Sequence, residues 1–410
     1  MMSPRRTLRP RRTRAVVPIL VGLVGGALLG GIGVAAGAGG PALTSQAVPA
    51  TGAAQPGGTP AAAAPTTAAA EPAAPSCTGL VDAMSTRDRL AQRLMVGVDP
   101  SDPAAAVALV KSSHVGGIFV GGNPTALLQN GKLAAVQAAS PTKVAVAVDD
   151  EGGRVQRIDA LDGSMPSARV MAKTKTPDQV RAIAKTRAAA LVARGVTMDF
   201  APDADVSDQP ANAVIGDRSF SNDPAVVTRY AQAFAEGLHD GGITAVLKHF
   251  PGHGHSTGDS HLGRVSVPPL AQLRTDDLLP YANLVGPGKP LHATGAAVMV
   301  GHLDVPGLTT DLPSSLTPAV YDLLRTDYGF DGMVVTDDLG AMKAISGEFA
   351  LPQATVKALA AGADMALSSD VGPVTPTLDA LQRALADGTL TAQANDRAVA
   401  RILANKGLCG

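Results

Sequence analysis

The sequence predicts an α/β fold built as a single (β/α)8 TIM-type barrel, on three observations. Eight short apolar runs recur through residues 77–410, amphipathic stretches of helical period separate them, and polar residues gather directly after the runs. Runs that are apolar at every position are buried on both faces, as parallel strands covered by helices are. Their alternation with helices is the pattern of a parallel sheet, and eight such strands close a barrel.

In chain order the predicted strands are 94–98, 117–120, 144–148, 196–200, 243–247, 296–300, 333–336 and 364–367. The helices between them carry boundary signals. Thr176-Pro177 opens one that stops before Gly195, and Asp223-Pro224 opens one that stops near Gly241. Thr317-Pro318 opens another, with Val320, Leu323 and Leu324 on one face. A doubly wound open sheet could use the same elements, but no Gly-rich phosphate fingerprint follows the first strand, which favours the barrel.

Two segments precede the barrel. Residues 1–14 carry Arg5, Arg6, Arg9, Arg11, Arg12 and Arg14 with no acid, and an apolar, Gly-rich run follows to about Ala38. Residues 1–38 therefore read as a signal peptide or an N-terminal membrane anchor, and the chain as exported. The run is long enough to cross a bilayer, and Ala36-Gly37-Ala38 offers a small-residue cleavage site, so both forms stay open. No cysteine lies near the run, which argues against a lipid-anchored form. Residues 39–76 are almost entirely Ala, Pro, Gly, Thr and Ser, a disordered linker by composition. The two cysteines, Cys77 and Cys409, stand at the edges of the remaining domain, and outside the cytoplasm they are expected to form a disulfide.

A formal net charge of −1 supplies no basic field for nucleic acid. Aromatic residues make up 3% of the chain and Trp is absent, which argues against the flat stacking surfaces that hold long polysaccharides. A small, hydrogen-bonding pocket suits this composition better.

In a barrel the residues just after the strands converge on one mouth. Here they are Asp149-Asp150-Glu151-Gly152-Gly153-Arg154, then Asp203 and Asp205, then Lys248-His249-Phe250-Pro251-Gly252-His253-Gly254 with Asp259-Ser260-His261, then Gly301-His302, and finally Asp337-Asp338. Any one of these is also what a turn would use. Together they describe a site rich in carboxylates and imidazoles.

These residues also carry a resemblance. Val148 to Arg157, Gly216-Asp217-Arg218-Ser219-Phe220, the Lys248 to Gly254 motif with Asp259-Ser260-His261, and Val335-Thr336-Asp337-Asp338-Leu339 resemble glycoside hydrolase family 3, in the family's motif order over about residues 90–405. More narrowly they are similar to its β-N-acetylglucosaminidase branch, the NagZ-like enzymes. The resemblance implies that Asp337 is the nucleophile, with Asp338 the second choice. It implies that His261, in the loop after the fifth strand, is the general acid/base with Asp259 as its partner. It implies that Asp149, Arg218, Lys248 and His249 bind the terminal sugar.

The proton-transfer pair also stands on spacing. Residues two apart in an extended segment project to one side, so Asp259 can hold one imidazole nitrogen of His261 and fix the tautomer of the other. Gly252, Gly254 and Gly258 are expected to let this loop bend. Arg154 is assigned to structure, paired with Glu151 or a neighbouring acid, and His253 is expected to shape the loop. Lys248 and His249 could alternatively be barrel-mouth structure.

The function expected from this reading is a retaining exo-β-N-acetylglucosaminidase that releases terminal N-acetylglucosamine from peptidoglycan fragments, acting as a monomer with no cofactor and no metal. Alternatives within the fold are an N-acetylglucosaminide phosphorylase and a β-glucosidase. From other classes, His249, His253, His255, Asp259 and His261 could be ligands of a metal-dependent hydrolase, although their spacing fits no standard zinc pattern. A non-catalytic binder of cell-wall glycan would not need the acid, base and nucleophile together.

Overall fold

A computed structural model describes residues 76–409 apart from 371 and 373. The expected export segment (1–38) and the linker up to residue 75 lie outside the described residues. Ser76, the last residue assigned to the linker, caps the first helix through its side chain. No described helix is long and apolar enough to cross a membrane.

Eight parallel strands form one sheet: β1 Leu94–Val98, β2 Gly117–Val120, β3 Ala145–Val148, β4 Met198–Asp199, β5 Thr244–Phe250, β6 Ala297–Val300, β7 Val334–Thr336 and β8 Ala366–Ser368. Each pairs with its sequence neighbour, and β8 pairs with β1. The ring closes between β7 and β8 through a parallel bridge of Val335 with Met365 and a hydrogen bond from the Thr336 amide to the Met365 carbonyl (3.0 Å). This is the barrel that the apolar runs predict.

Alternation along the strands builds two apolar layers. Met95, Phe119, Ala145, Ala147, Met198, Val246, Ala297, Met299, Val335, Met365 and Leu367 fill the interior. Their neighbours Val96, Ile118, Val146, Leu247, Val298, Val334 and Ala366 face the helices. The unbranched, flexible methionines Met95, Met198, Met299 and Met365 share this interior with Val246, Val335 and Leu367 and fill its irregular gaps. The stacked rings of Phe119 and Phe200, 5.5 Å between centroids, lie at its upper end and form part of the cavity wall.

Two strands depart from expectation. β4 is two residues long because the chain turns irregular at Phe200 and Ala201, and Pro202 has no amide to offer a ladder. β5 runs on to Phe250, so Lys248 and His249 are strand residues rather than loop residues. The register of β5 on β6 shifts between Leu247 and Phe250. Such a bulge breaks the strict alternation of side chains, and both Lys248 and His249 line the cavity at the barrel mouth.

The helix signals hold. Thr176 makes a full capping box ahead of the helix Pro177–Ala193, and Asp223 caps Pro224–Asp240. The helix opened by Pro318 runs to Asp322 and continues as a π-helical turn, Leu323–Asp327. At the domain's edges Cys77 and Cys409 form a disulfide with Cα atoms 5.1 Å apart. It ties the helix Cys77–Asp82 to the C-terminal helix Ala392–Asn405, where Val81 packs on Val399 and Leu403.

Candidate active site

The C-terminal ends of the strands surround a cavity of about 180 Å³. Asp149, Arg218, Lys248, His249, His261 and Asp337 all line it, and Asp259 stands behind His261. The seven residues singled out from the sequence therefore meet at one place, although they are spread over 189 positions, from 149 to 337.

One wall is an ionic cradle. Lys248 Nζ lies 2.8 Å from Asp149 and 2.5 Å from Glu151, and the guanidinium of Arg218 grips both oxygens of Glu151 at 2.8 Å. Lys248 and Glu151 are buried. Burial opposes charge on both, but the cations around Glu151 outweigh it and hold that carboxylate well below its usual range. Burial likewise works against the Lys248 ammonium, and Asp149 and Glu151 overcome it and raise its pKa. Both ends of the cradle are thus charged, and their donors are held in fixed directions.

His249 is held from behind. Its Nδ1 lies 2.7 Å from Asp205, and its backbone amide donates to the same carboxylate. Burial, then Arg218, push the imidazole down to about 4, so the ring is neutral at pH 7. Asp203, next to it, is pushed up to about 8 by burial and by Asp205. Asp149 rather than Asp150 faces the cavity, because Asp150 is fully buried, paired with Arg187 at 2.6 Å and bonded to the amides of Arg157 and Ile158.

At the same mouth, Asp337 follows β7 with its side chain partly exposed to the cavity. Burial would raise this carboxyl, but the imidazoles of His249 and His302 and the Asp338 amide outweigh it and hold Asp337 down at about 2. Its neighbour Asp338 is spoken for: it accepts from the amides of Gly340, Ala341 and Ser369 and from the Ser369 hydroxyl. A carboxylate used this fully fastens the loops after β7 and β8 and has little left to attack with. His302 supports the same turn, donating from Nε2 to the Asp338 carbonyl (3.0 Å) while Nδ1 meets Ser315 (2.7 Å).

Asp259 and His261 are paired, but not by the extended geometry expected. Residues 260–262 form a turn, and one Asp259 oxygen accepts from both the His261 amide (2.9 Å) and its Nδ1 (2.8 Å). An Asp whose side chain bonds two residues ahead is a common turn device. With Nδ1–H given to Asp259, Nε2 is left for exchange with substrate. Ser260 between them is buried and hydrogen-bonded to His253 Nε2 (3.0 Å), so His253 moors the loop.

Two other readings change. Gly252 and Gly254 are not loose hinges: a Cβ on Gly252, at φ +130°, would sit 2.4 Å from Asp277, and one on Gly254 would sit 1.8 Å from the Val206 carbonyl. Both glycines are there for close approach. Arg154 keeps the structural role expected of it, and of the acids left open it takes Asp217 (3.0 Å), with three backbone carbonyls, since Glu151 is held by Arg218 and Lys248. The histidines do not form one metal cluster either, as His249 meets Asp205, His253 meets Ser260, His255 meets Asp277 and His261 meets Asp259. The groups of three donors among the described residues are Asp203, Asp205 and His249, and His255, Asp276 and Asp277.

Some cavity residues had no role assigned from sequence. Arg157 lines the cavity 3.6 Å from Asp149, and Phe119, Phe200, Met299, Met342, Leu367 and Ser369 complete the wall. Arg157 lies in a motif that was legible. The apolar residues carried no signal beyond strand periodicity.

A parallel barrel whose mouth gathers carboxylates, imidazoles and paired cations around a small polar cavity is the architecture of a carbohydrate-active barrel enzyme. Residues 85–404 match the glycosyl hydrolase family 3 N-terminal domain, and the chain belongs to that family. It is 46% identical over 375 residues to β-hexosaminidase LpqI of Mycobacterium tuberculosis, covering 90% of this chain and 91% of that protein. Among solved structures, a family 3 glycosyl hydrolase of Mycobacterium smegmatis aligns at 50% identity with a TM-score of 0.75, over 80% of this chain and 98% of that one. A family 3 β-N-acetylglucosaminidase of Paenibacillus sp. aligns at 31% identity with a TM-score of 0.72, over 80% of this chain and 63% of that one.

Proposed function

We infer that the chain is a β-N-acetylhexosaminidase, and we propose that it is an exported, retaining exo-enzyme that releases terminal N-acetylglucosamine from peptidoglycan fragments. One observation carries the mechanistic part. Asp337, held ionised, and His261, backed by Asp259, border the same small cavity as Lys248 and Arg218 of the cradle.

In this reading Asp149, Arg218, Lys248 and His249 hold the hydroxyls and acetamide of the terminal sugar. The Asp337 carboxylate attacks the anomeric carbon as His261 Nε2 gives its proton to the departing oxygen. The glycosidic bond breaks, and an ester forms between sugar and Asp337. Water then attacks the same carbon, His261 takes its proton back, and Asp337 leaves as the carboxylate. Two displacements restore the β configuration. No metal is required by these steps, and full activity after exhaustive chelation is the expected outcome.

The cavity's small volume suits an enzyme that takes one terminal sugar. Peptidoglycan as source rests on the expected export segment, as does the assignment to the cell envelope. Rates on aryl β-N-acetylglucosaminide against aryl β-glucoside test the substrate, and a strong preference for the former is expected. A slow fluorosugar should label Asp337, and an adduct anywhere else would overturn the mechanism.

A further inference from the structure

The turn that carries His261 is fastened from outside the cavity, and one side chain gathers most of those contacts. Arg264, three residues after His261, donates from Nη2 and Nε to both oxygens of Asp304 (2.6 and 3.1 Å), in the segment after β6. Its Nη1 donates to the carbonyl of Asp311 (2.7 Å) and lies 3.4 Å from Glu348, in the segment after β7. The main chain beside it is paired as well. Val265 and Ser266 run parallel to Leu303 and Asp304, and the carbonyls of Ser260 and His261 accept from the amides of Ala344 (3.1 Å) and Lys343 (3.2 Å).

We propose that Arg264 is the positioning residue for His261, a clamp that sets the proton donor over the cavity by joining its turn to the segments after β6 and β7. This rests on the reading of His261 as general acid/base. The physical grounds are three. Arg264 and Asp304 are partly exposed, with side chains 29% and 26% accessible, so solvent screens their pairing and limits its contribution to folding stability. A two-pronged guanidinium–carboxylate contact nevertheless fixes direction as well as distance. The His261 side chain is 62% accessible, so packing does little to set its place; the direction of the turn beneath it does. Proton transfer is sensitive to small displacement of the donor, so a loosened turn costs rate where a proton must be given.

Leaving-group chemistry separates this from a general structural role. A dinitrophenolate departs without protonation, whereas a phenolate needs it, and kcat/KM reports the step in which the leaving group departs. For Arg264→Ala, kcat/KM on phenyl β-N-acetylglucosaminide is expected to fall about tenfold and on the dinitrophenyl substrate less than about twofold. Arg264→Lys and Asp304→Asn should show the same pattern, weaker, with unchanged melting temperature. His261→Ala should show it more strongly. Equal losses on the two substrates, or no loss, in the clamp variants while His261→Ala discriminates would overturn the clamp alone. Absence of discrimination in His261→Ala would overturn the assignment of His261, and the clamp with it.

Discussion

The end of β5 and the turn that follows it, ten residues apart, are built on opposite terms. Lys248 and His249 are strand residues, buried, and each is paired with a carboxylate at 2.5 to 2.8 Å. Asp259 and His261 sit on a turn with exposed side chains, held at Ser260 and by contacts reaching in from neighbouring segments. A group that only binds benefits from a rigid, pre-paired setting, because nothing about it changes during reaction. A group that gives and takes a proton must meet leaving group and water in turn, which a buried, fully satisfied position would prevent.

The strongest way to break this comparison is to remove the group both regions serve. Asp337→Asn should lower kcat about ten-thousandfold, since it removes the attacking atom while keeping shape. Its melting temperature should stay near the parent's. A modest loss of rate would mean that the cavity is organised around another nucleophile.

Next comes the cradle itself. Arg218→Ala leaves Glu151 buried with Lys248 as its remaining cation, and uncompensated burial of this kind costs about 3 kcal/mol. Denaturant titration should show that loss together with a raised KM, whereas the clamp variants at the His261 turn should leave stability nearly unchanged.

The disulfide supplies a contrast far from the cavity. It closes a loop of 332 residues in the unfolded chain; losing a native crosslink typically costs about 2 to 5 kcal/mol, and Cys77→Ser should lower stability by that amount with kcat preserved. A fall in kcat equal to that of the cradle variant would show that the edges of the domain and its mouth are coupled.

The finest test concerns the buried acids behind His249. Asp203 titrates at about 8 in the folded protein, above the roughly 4 of an unfolded aspartate. The native state therefore favours its protonated form. That contribution to stability is complete below about pH 4 and is lost as pH rises towards 8. Asp203→Asn keeps the neutral form at every pH, so its urea midpoint should fall less than the parent's across that window. Parallel curves would show that Asp203 is ionised when folded. His249 works in the other direction: its pKa of about 4 lies below the unfolded value, so stability should decline as pH falls from about 6.5 towards 4.

Much of this molecule was legible before any coordinates. Continuous apolar runs and proline-opened helices announced the barrel, because burial on both faces of a parallel strand leaves an unbroken apolar signature. The polar residues after those runs announced the mouth. Where strands end was less clear, since Lys248 and His249 look like loop residues yet stay in the ladder. Their side chains turn into a polar cavity, and a polar residue facing a polar cavity breaks the usual equation of strand with apolar.

What the sequence by itself determined was the fold class, the family and the set of residues at the mouth, since each depends on local pattern and motif order. Only the tertiary structure decided the partners: that Glu151 belongs to Arg218 and Lys248 rather than Arg154, that Asp338 is consumed by backbone amides while Asp337 is not, and that Gly252 and Gly254 are packed rather than loose. Pairing depends on distances between segments far apart in the chain. Those distances are set by closure of the barrel, which no local stretch of sequence encodes.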